Sequence, residues 1–310
     1  MDVLLTEFVI IFLILNILPT YGLHSLMCNK PNVTCSELDL VKIHWNLNGM
    51  HQEDPKLIEA IKETILIPPD QLPLSLLKPS RKRLSGQFNQ VAAVEKLLDL
   101  NKKKQDPKFF IEAGAGCGEY LSNTLYLELA YNWTGLLVEP NPDLLEVLYA
   151  KHRNSWVLPH CLSPTPFVQV VNFDVARLLS GIILEGKTKP SRLQRNMTQH
   201  PLMDFEREIQ VQCFPLYSVL KAMGKPKVDY FSLDIEGAEF AVLNTIPWKD
   251  VDIDVLGVEV NHAGDIFDGS REDIGDLLYE HEYEYRGTTT FDDFYLKKNT
   301  NERHRTNEEL

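Results

Sequence analysis

Positive charge is in short supply in this sequence. Its 310 residues carry 31 Lys and Arg against 44 Asp and Glu, a formal net charge of -13. Phosphate contacts need clustered basic side chains, so this balance argues against nucleic acid as an unaided partner. The one dense basic stretch, KPSRKR at Lys78–Arg83, reads as a solvated linker. Cleavage after its paired basic residues and contact with acidic lipid are the other openings. Internal repeats are also missing, and no metal-ligand spacing is read. A full-length membrane span is not clearly written either. The run FVIIFLILNIL, Phe8–Leu18, has eleven residues, which suits a signal-peptide core better than a bilayer crossing. No Lys or Arg precedes it, so charge bias sets its orientation poorly.

What is present begins with that apolar start. Residues 1–22 read as a cleaved signal peptide ending at Gly22. A signal anchor with membrane association through residues 3–22, and a buried core helix, stay open as alternatives. Sequons at Asn32 and Asn196 are candidate glycosylation sites, and a third at Asn132 stands just before an expected strand. The five cysteines suggest two pairings in an oxidising compartment. Cys28 with Cys35 would close a short loop, and Cys161 with Cys213 would clamp two core segments. Cys117 is left over, and five free thiols remain the alternative. These features place the chain in the secretory pathway: the lumen of the endoplasmic reticulum or Golgi, an endosome, or the exterior.

Residues 23–84 hold scattered prolines without clear periodicity and read as an extended stem with one short helix near Pro55–Leu66. From Ser85 the pattern alternates. Helices are expected over Val91–Leu100, Tyr120–Tyr131, Pro142–Lys151, Pro215–Met223, Ala238–Thr245 and Arg271–Glu280. Strands are expected over Phe109–Ala113, Thr134–Glu139, Trp156–Cys161, Ile209–Cys213, Val228–Ile235 and Val255–Val260. Two final strands, Tyr283–Arg286 and Asp292–Leu296, are joined by a turn at Gly287. A polar insert, roughly 178–208, interrupts the series, and residues 299–310 form a polar tail ending NEEL. Such alternation implies an α/β fold with a doubly wound, mostly parallel sheet. The fold proper spans 85–298, and 44% hydrophobic residues suffice for its core.

In such a sheet, ligands bind beyond the carboxyl ends of the strands, where strand order reverses. Three stretches place chemistry there. The first is FFIEAGAGCGEYL, with Gly114, Gly116 and Gly118 after Glu112. Its G-x-G-x-G spacing differs from the dinucleotide fingerprint, so a pyrophosphate is not the best ligand. The second is GLLVEP, ending at Glu139, twenty-one residues beyond Gly118. An acid at the end of the second strand can accept from both hydroxyls of a ribose; capping of the next helix is the bland role. The third is YFSLDIEGAEF with GVEVNH. It gathers Asp234, Glu236, Glu259 and His262 at two strand ends, where crowding can produce general bases. Glu239 reads as a helix cap.

These blocks, with PHCLS and QCFPLYSVL between them, resemble the FkbM-type methyltransferase domain, closest to its invertebrate Star-like branch, over about residues 85–298. The resemblance implies a class I, Rossmann-like methyltransferase fold binding S-adenosylmethionine (SAM). Glu112, Gly114, Gly116 and Gly118 would line the methionine end, and Glu139 would hold the ribose. Ser163 would lie near the adenine. Asp234 and His262 would serve as bases, with Glu236 and Glu259 on the substrate side. The expected reaction is methyl transfer to an oxygen of an acceptor the residues do not name. Glu119 departs from the family pattern: its charge beside the cofactor carboxylate calls for an offsetting cation. The Star-like resemblance implies an alternative: a non-catalytic escort moving membrane cargo from the endoplasmic reticulum to the Golgi and endosomes. A cytosolic enzyme is the third reading.

Overall fold

Short apolar runs bounded by glycine and polar turns build the centre of the protein. Strands β1 (Phe109–Ala113), β2 (Thr134–Val138), β8 (Lys227–Leu233) and β9 (Asp252–Glu259) are buried along nearly their whole length. Near-continuous apolar strands of this kind are covered on both faces, as in a parallel sheet with helical crossovers. The computed structural model describes residues 42–77, 86–100, 106, 108–176, 179–187 and 207–298. From Ile43 onward these belong to one compact unit.

With β3 (Trp156–Leu158), β10 (Tyr283–Thr289) and β11 (Asp292–Lys297), the four strands form a seven-stranded sheet in the order β10-β11-β9-β8-β1-β2-β3. The pairs β1/β2, β2/β3, β1/β8 and β8/β9 are parallel. Strand β11 runs antiparallel to both β9 and β10. The chain winds outward from β1 through β2 to β3, then returns to the other side of β1 at β8. Strand order therefore reverses at β1.

Helix α2 (Gln90–Leu97) precedes β1; helices α3 (Leu125–Tyr131) and α4 (Pro142–Tyr149) join the first three strands, and α6 (Glu239–Leu243) joins β8 to β9. The start of α4 is written locally: Pro142 stands in its first turn, and the Asn141 side chain accepts from the Asp143 amide. Helix α7 (Arg271–Glu280) opens on a reciprocal capping box between Ser270 and Asp273.

Three expectations are corrected. Residues 43–77 are not a stem detached from the fold. Helix α1 (Pro55–Ala60) continues as a π-helical turn over Ile61–Ile65. Its Leu57, Ile61 and Ile65 lie in the same core cluster as β1 and α5 (Leu216–Met223). Ile67 then pairs with Val157 on the edge strand β3 through two backbone hydrogen bonds of 2.9 Å, covering an edge that would otherwise be exposed. Second, the strand expected over Trp156–Cys161 divides at Pro159-His160. Its last residues become β4 (Cys161–Leu162) in a separate sheet of order β4-β7-β5-β6, with β5 (Gln169–Val175), β6 (Gly181–Ile182) and β7 (Arg207–Phe214). Cys161 and Cys213 are register partners across β4 and β7 and are joined by a disulfide. Third, Gly287 is not the hairpin turn. The register shifts between Tyr285 and Gly287, so it marks a bulge, and the reversal falls at Thr290-Phe291.

The apolar segment 1–22, Asn32, the Cys28 and Cys35 pair, the basic cluster 78–83, Asn196 and the tail 299–310 lie outside the described residues. No helix among the described residues is long and apolar enough to cross a membrane.

Candidate functional site

The carboxyl ends of β1, β2, β8 and β9 converge where the winding reverses. After β1 the chain turns sharply at Gly114, whose φ is +83°. A Cβ at this position would stand 1.9 Å from the Asp234 carbonyl oxygen, so only glycine lets the turn lie against the end of β8. The amides of Gly114 and Ala115 both donate to the Val138 carbonyl at 3.1 Å, and the Asp234 amide donates to the Ala113 carbonyl. The turn is thus stitched to both neighbouring strands. Gly118, at φ +73°, sits where a Cβ would meet Leu148 Cδ1 at 2.2 Å.

Glu139 closes this cradle. Its Oε2 accepts from the Gly116 amide and its Oε1 from the Asn141 amide, each at 2.8 Å. A carboxylate has about four acceptor positions, so two remain for hydroxyl donors. Burial pushes the Glu139 carboxyl up to about 7, against the opposing pull of the two amides. Glu112 is differently used. It accepts from the Ser122 hydroxyl at 2.9 Å, the Asn123 amide at 2.7 Å and the Thr124 hydroxyl. It therefore ties down the loop that leads into α3. Burial raises its pKa, and the Arg153 guanidinium opposes the shift.

Arg153 is a member of the site that the sequence reading missed. It is buried, with Nη1 donating to the Gly118 carbonyl at 2.7 Å and Nε to Glu128 at 2.8 Å. Glu119 also finds its cation. Lys151 donates to it at 2.6 Å, and the Leu77 amide donates at 2.9 Å. The charge that opposed a cofactor carboxylate is answered by a buried ion pair. A basic stretch, KHR at 151–153, follows α4, but no spacing rule joins it to a turn more than thirty residues upstream.

The other side of the site is crowded with acids. Carboxylate oxygens of Asp234, Glu239 and Glu259 lie within 4.8 Å of one another. Glu239 accepts from the Ile235 amide at 2.8 Å and the Gly237 amide at 3.0 Å, both ahead of α6, so it ties down the turn that leads into the helix; burial raises it to about 7. Glu236, at φ +58°, stands 3.5 Å from His262 Nε2, whose Nδ1 is 3.2 Å from Asp265. Burial pushes Glu259 up to about 11, reinforced by Glu239, Asp234 and Glu236. Asp234 and Glu236 are raised by burial and by neighbouring carboxylates. Asp292, also missed in the sequence, faces Glu259 in register from β11 and accepts from Gln90 at 2.8 Å. The pairing of β11 with β9 brings it here.

Ser163 does not join the constellation through its hydroxyl. That group is buried, donates to the Phe167 carbonyl at 2.7 Å and accepts from Gln169 at 3.1 Å. It holds its own turn.

Seven strands in this order, with the glycine turn after the first and an acid closing the second, make a Rossmann-like methyltransferase fold. The methyltransferase FkbM domain matches residues 112–286, more than half of the chain, and the chain belongs to that family. Among curated proteins no match was found. Solved structures resemble it distantly. Magnesium protoporphyrin IX methyltransferase from Synechocystis PCC 6803 with bound SAM is 10% identical at a TM-score of 0.37, covering 72% of this chain and 86% of that one. The N-terminal domain of human METTL16 in complex with SAH is 12% identical at a TM-score of 0.32, covering 88% and 92%. Precorrin-6y C5,15-methyltransferase from Geobacter metallireducens GS-15 is 11% identical at 0.32, covering 71% and 94%.

Proposed function

We propose that the chain is a SAM-dependent methyltransferase acting on an oxygen nucleophile. The observation that carries this reading is the cradle between Gly114 and Glu139. A turn that admits no Cβ faces a buried carboxylate whose two oxygens each keep an acceptor position. That pair of acceptors fits the two hydroxyl donors of a ribose diol beside a methionine-bearing end. SAM, when bound, supplies an electrophilic methyl on sulfonium.

The residues' tasks follow. Glu139 holds the ribose, and the backbone of Gly114–Gly118 shapes the methionine end. Arg153 and the Lys151–Glu119 pair keep that turn rigid. Displacement at a methyl depends more on alignment than on strong acid–base help. Transfer of the methyl to a hydroxyl oxygen would break the methyl–sulfonium bond, leave S-adenosylhomocysteine and release the hydroxyl proton, which a group at the β8 or β9 end would take. Asp234, with its raised pKa, and His262 are the candidates. Glu236 and Glu259 shape the acceptor side. The disulfide between Cys161 and Cys213 supports an oxidising compartment, hence a place in the secretory pathway. The Star-like branch, suggested by the sequence blocks, fits that address.

Equilibrium dialysis of methyl-tritiated SAM against the full chain tests the reading. Retained label, displaced by S-adenosylhomocysteine and lost in Gly114→Val, is the expected result. A folded chain that retains no label overturns it and leaves the escort role on membrane cargo.

A further inference from the structure

The acceptor side holds more negative charge than proton transfer explains. Asp234, at the end of β8, is partly exposed, and Glu239 and Glu259 beside it are buried. Among the described residues, no Lys or Arg forms an ion pair with any of the three. The sequence alone showed no metal-ligand set, because these ligands come from separate segments that only the sheet brings together.

The distances are those of a cation site. Oxygens bound to a single hard divalent ion at about 2.0–2.6 Å are themselves roughly 3–5 Å apart, and one oxygen from each of the three residues lies within 4.8 Å of the others. A second observation is independent of this crowding. Glu259 is 6% exposed; its Oε1 accepts from the Asn261 amide at 2.7 Å, but its Oε2 is buried with no hydrogen-bond partner. A buried, unmatched carboxylate oxygen is costly, and native proteins normally answer it with a donor, a water or an ion. Glu239 keeps acceptor capacity beyond the two amides it serves. The partial exposure of Asp234 gives an ion a way in.

We infer that Asp234, Glu239 and Glu259 form a binding site for one hard divalent cation of the magnesium, calcium or manganese class. An all-carboxylate oxygen set selects these over zinc or copper. Three protein ligands leave coordination positions open for water or for an oxygen of the acceptor; with the ion in place Asp234 is a ligand, and His262 is left as the proton acceptor. The inference stands on the carboxylates and their unmatched oxygen, whether or not the cofactor reading holds.

The test contains no cofactor, so its failure is separable from failure of that reading. Manganese chloride is titrated into the full chain and free ion is followed by electron paramagnetic resonance. Magnesium and calcium serve as competitors, and Glu259→Gln and Asp234→Asn as variants. Thermal unfolding with and without manganese accompanies it. One saturable equivalent is expected, with at least tenfold weaker binding in each variant. The wild type should gain about 5 °C with the ion at about 100 times its Kd. Without the ion, Glu259→Gln should unfold no earlier than wild type, which shows that the variant is folded. Absence of saturable binding, or unchanged affinity in the folded variants, overturns the inference.

Discussion

The two halves of the site treat buried carboxylates in opposite ways. On the β1 and β2 side, Glu112, Glu119 and Glu139 are each met by donors the fold provides. These are a hydroxyl-rich loop, the Lys151 ammonium and pairs of backbone amides. On the β8 and β9 side, Asp234, Glu236, Glu239 and Glu259 face mainly one another. Of these, only Glu239 and Glu259 accept amides among the described residues. A buried charge without compensation shifts its protonation or acquires a partner. The first half is complete as folded and poised to receive neutral hydroxyls. The second is built for something that brings positive charge, or protons, to it.

Four changes test that contrast. Lys151→Met should be the most damaging, because it leaves Glu119 buried and unpaired. Breaking such a pair costs about 3–5 kcal/mol, measurable by urea denaturation; a cost below about 1 kcal/mol would mean the pair does not organise the turn. Leu57→Ala should cost about 2–4 kcal/mol. Leu57 is fully buried in the shared core, within the segment that delivers the Leu77 amide to Glu119. Unchanged stability would return residues 43–77 to the status of a stem.

The third change is in pH. On the proposed role of Glu139, ribose hydroxyls would donate to its ionised form, and burial places its pKa at about 7. Below that value the free protein holds a proton there, which binding must expel. SAM affinity should therefore fall by about tenfold per unit as pH drops below 7, with a plateau above it. A flat profile between pH 6 and 8 would remove the ribose from Glu139. The smallest expected effect is a gain. In the cation-free protein, Glu259→Gln should stabilise by about 1 kcal/mol, since an amide replaces an unmatched buried carboxyl. A loss of stability in unfolding experiments would show a hidden partner on Glu259.

Legibility in the sequence followed from how local each signal was. The expected bounds of β1 and α7 coincide with those observed, because a mostly apolar strand closed by a glycine turn and a capping box are written in consecutive residues. The glycine turn, and Glu139 at the end of β2, were visible for the same reason. Within residues 43–77 the short helix was legible, with Leu57, Ile61 and Ile65 at four-residue spacing, but its burial against β1 and α5 was not, because the contacts that hold it there are tertiary. The small sheet escaped because two of its strands have only two residues, and Pro159 redirects what looked like one strand. Arg153 and Lys151 reach the glycine turn across the fold, and Asp292 reaches Glu259 only through strand pairing. Charge partners of this kind are tertiary and leave no periodic trace.

Calorimetric titration of SAM into the full chain, in parallel with Glu139→Ala, asks whether the cradle closed by Glu139 holds the proposed cofactor. One site of micromolar affinity is expected in the wild type, with a loss of at least a hundredfold in the variant. Equal heats from both proteins, or none from a folded wild type, would contradict it.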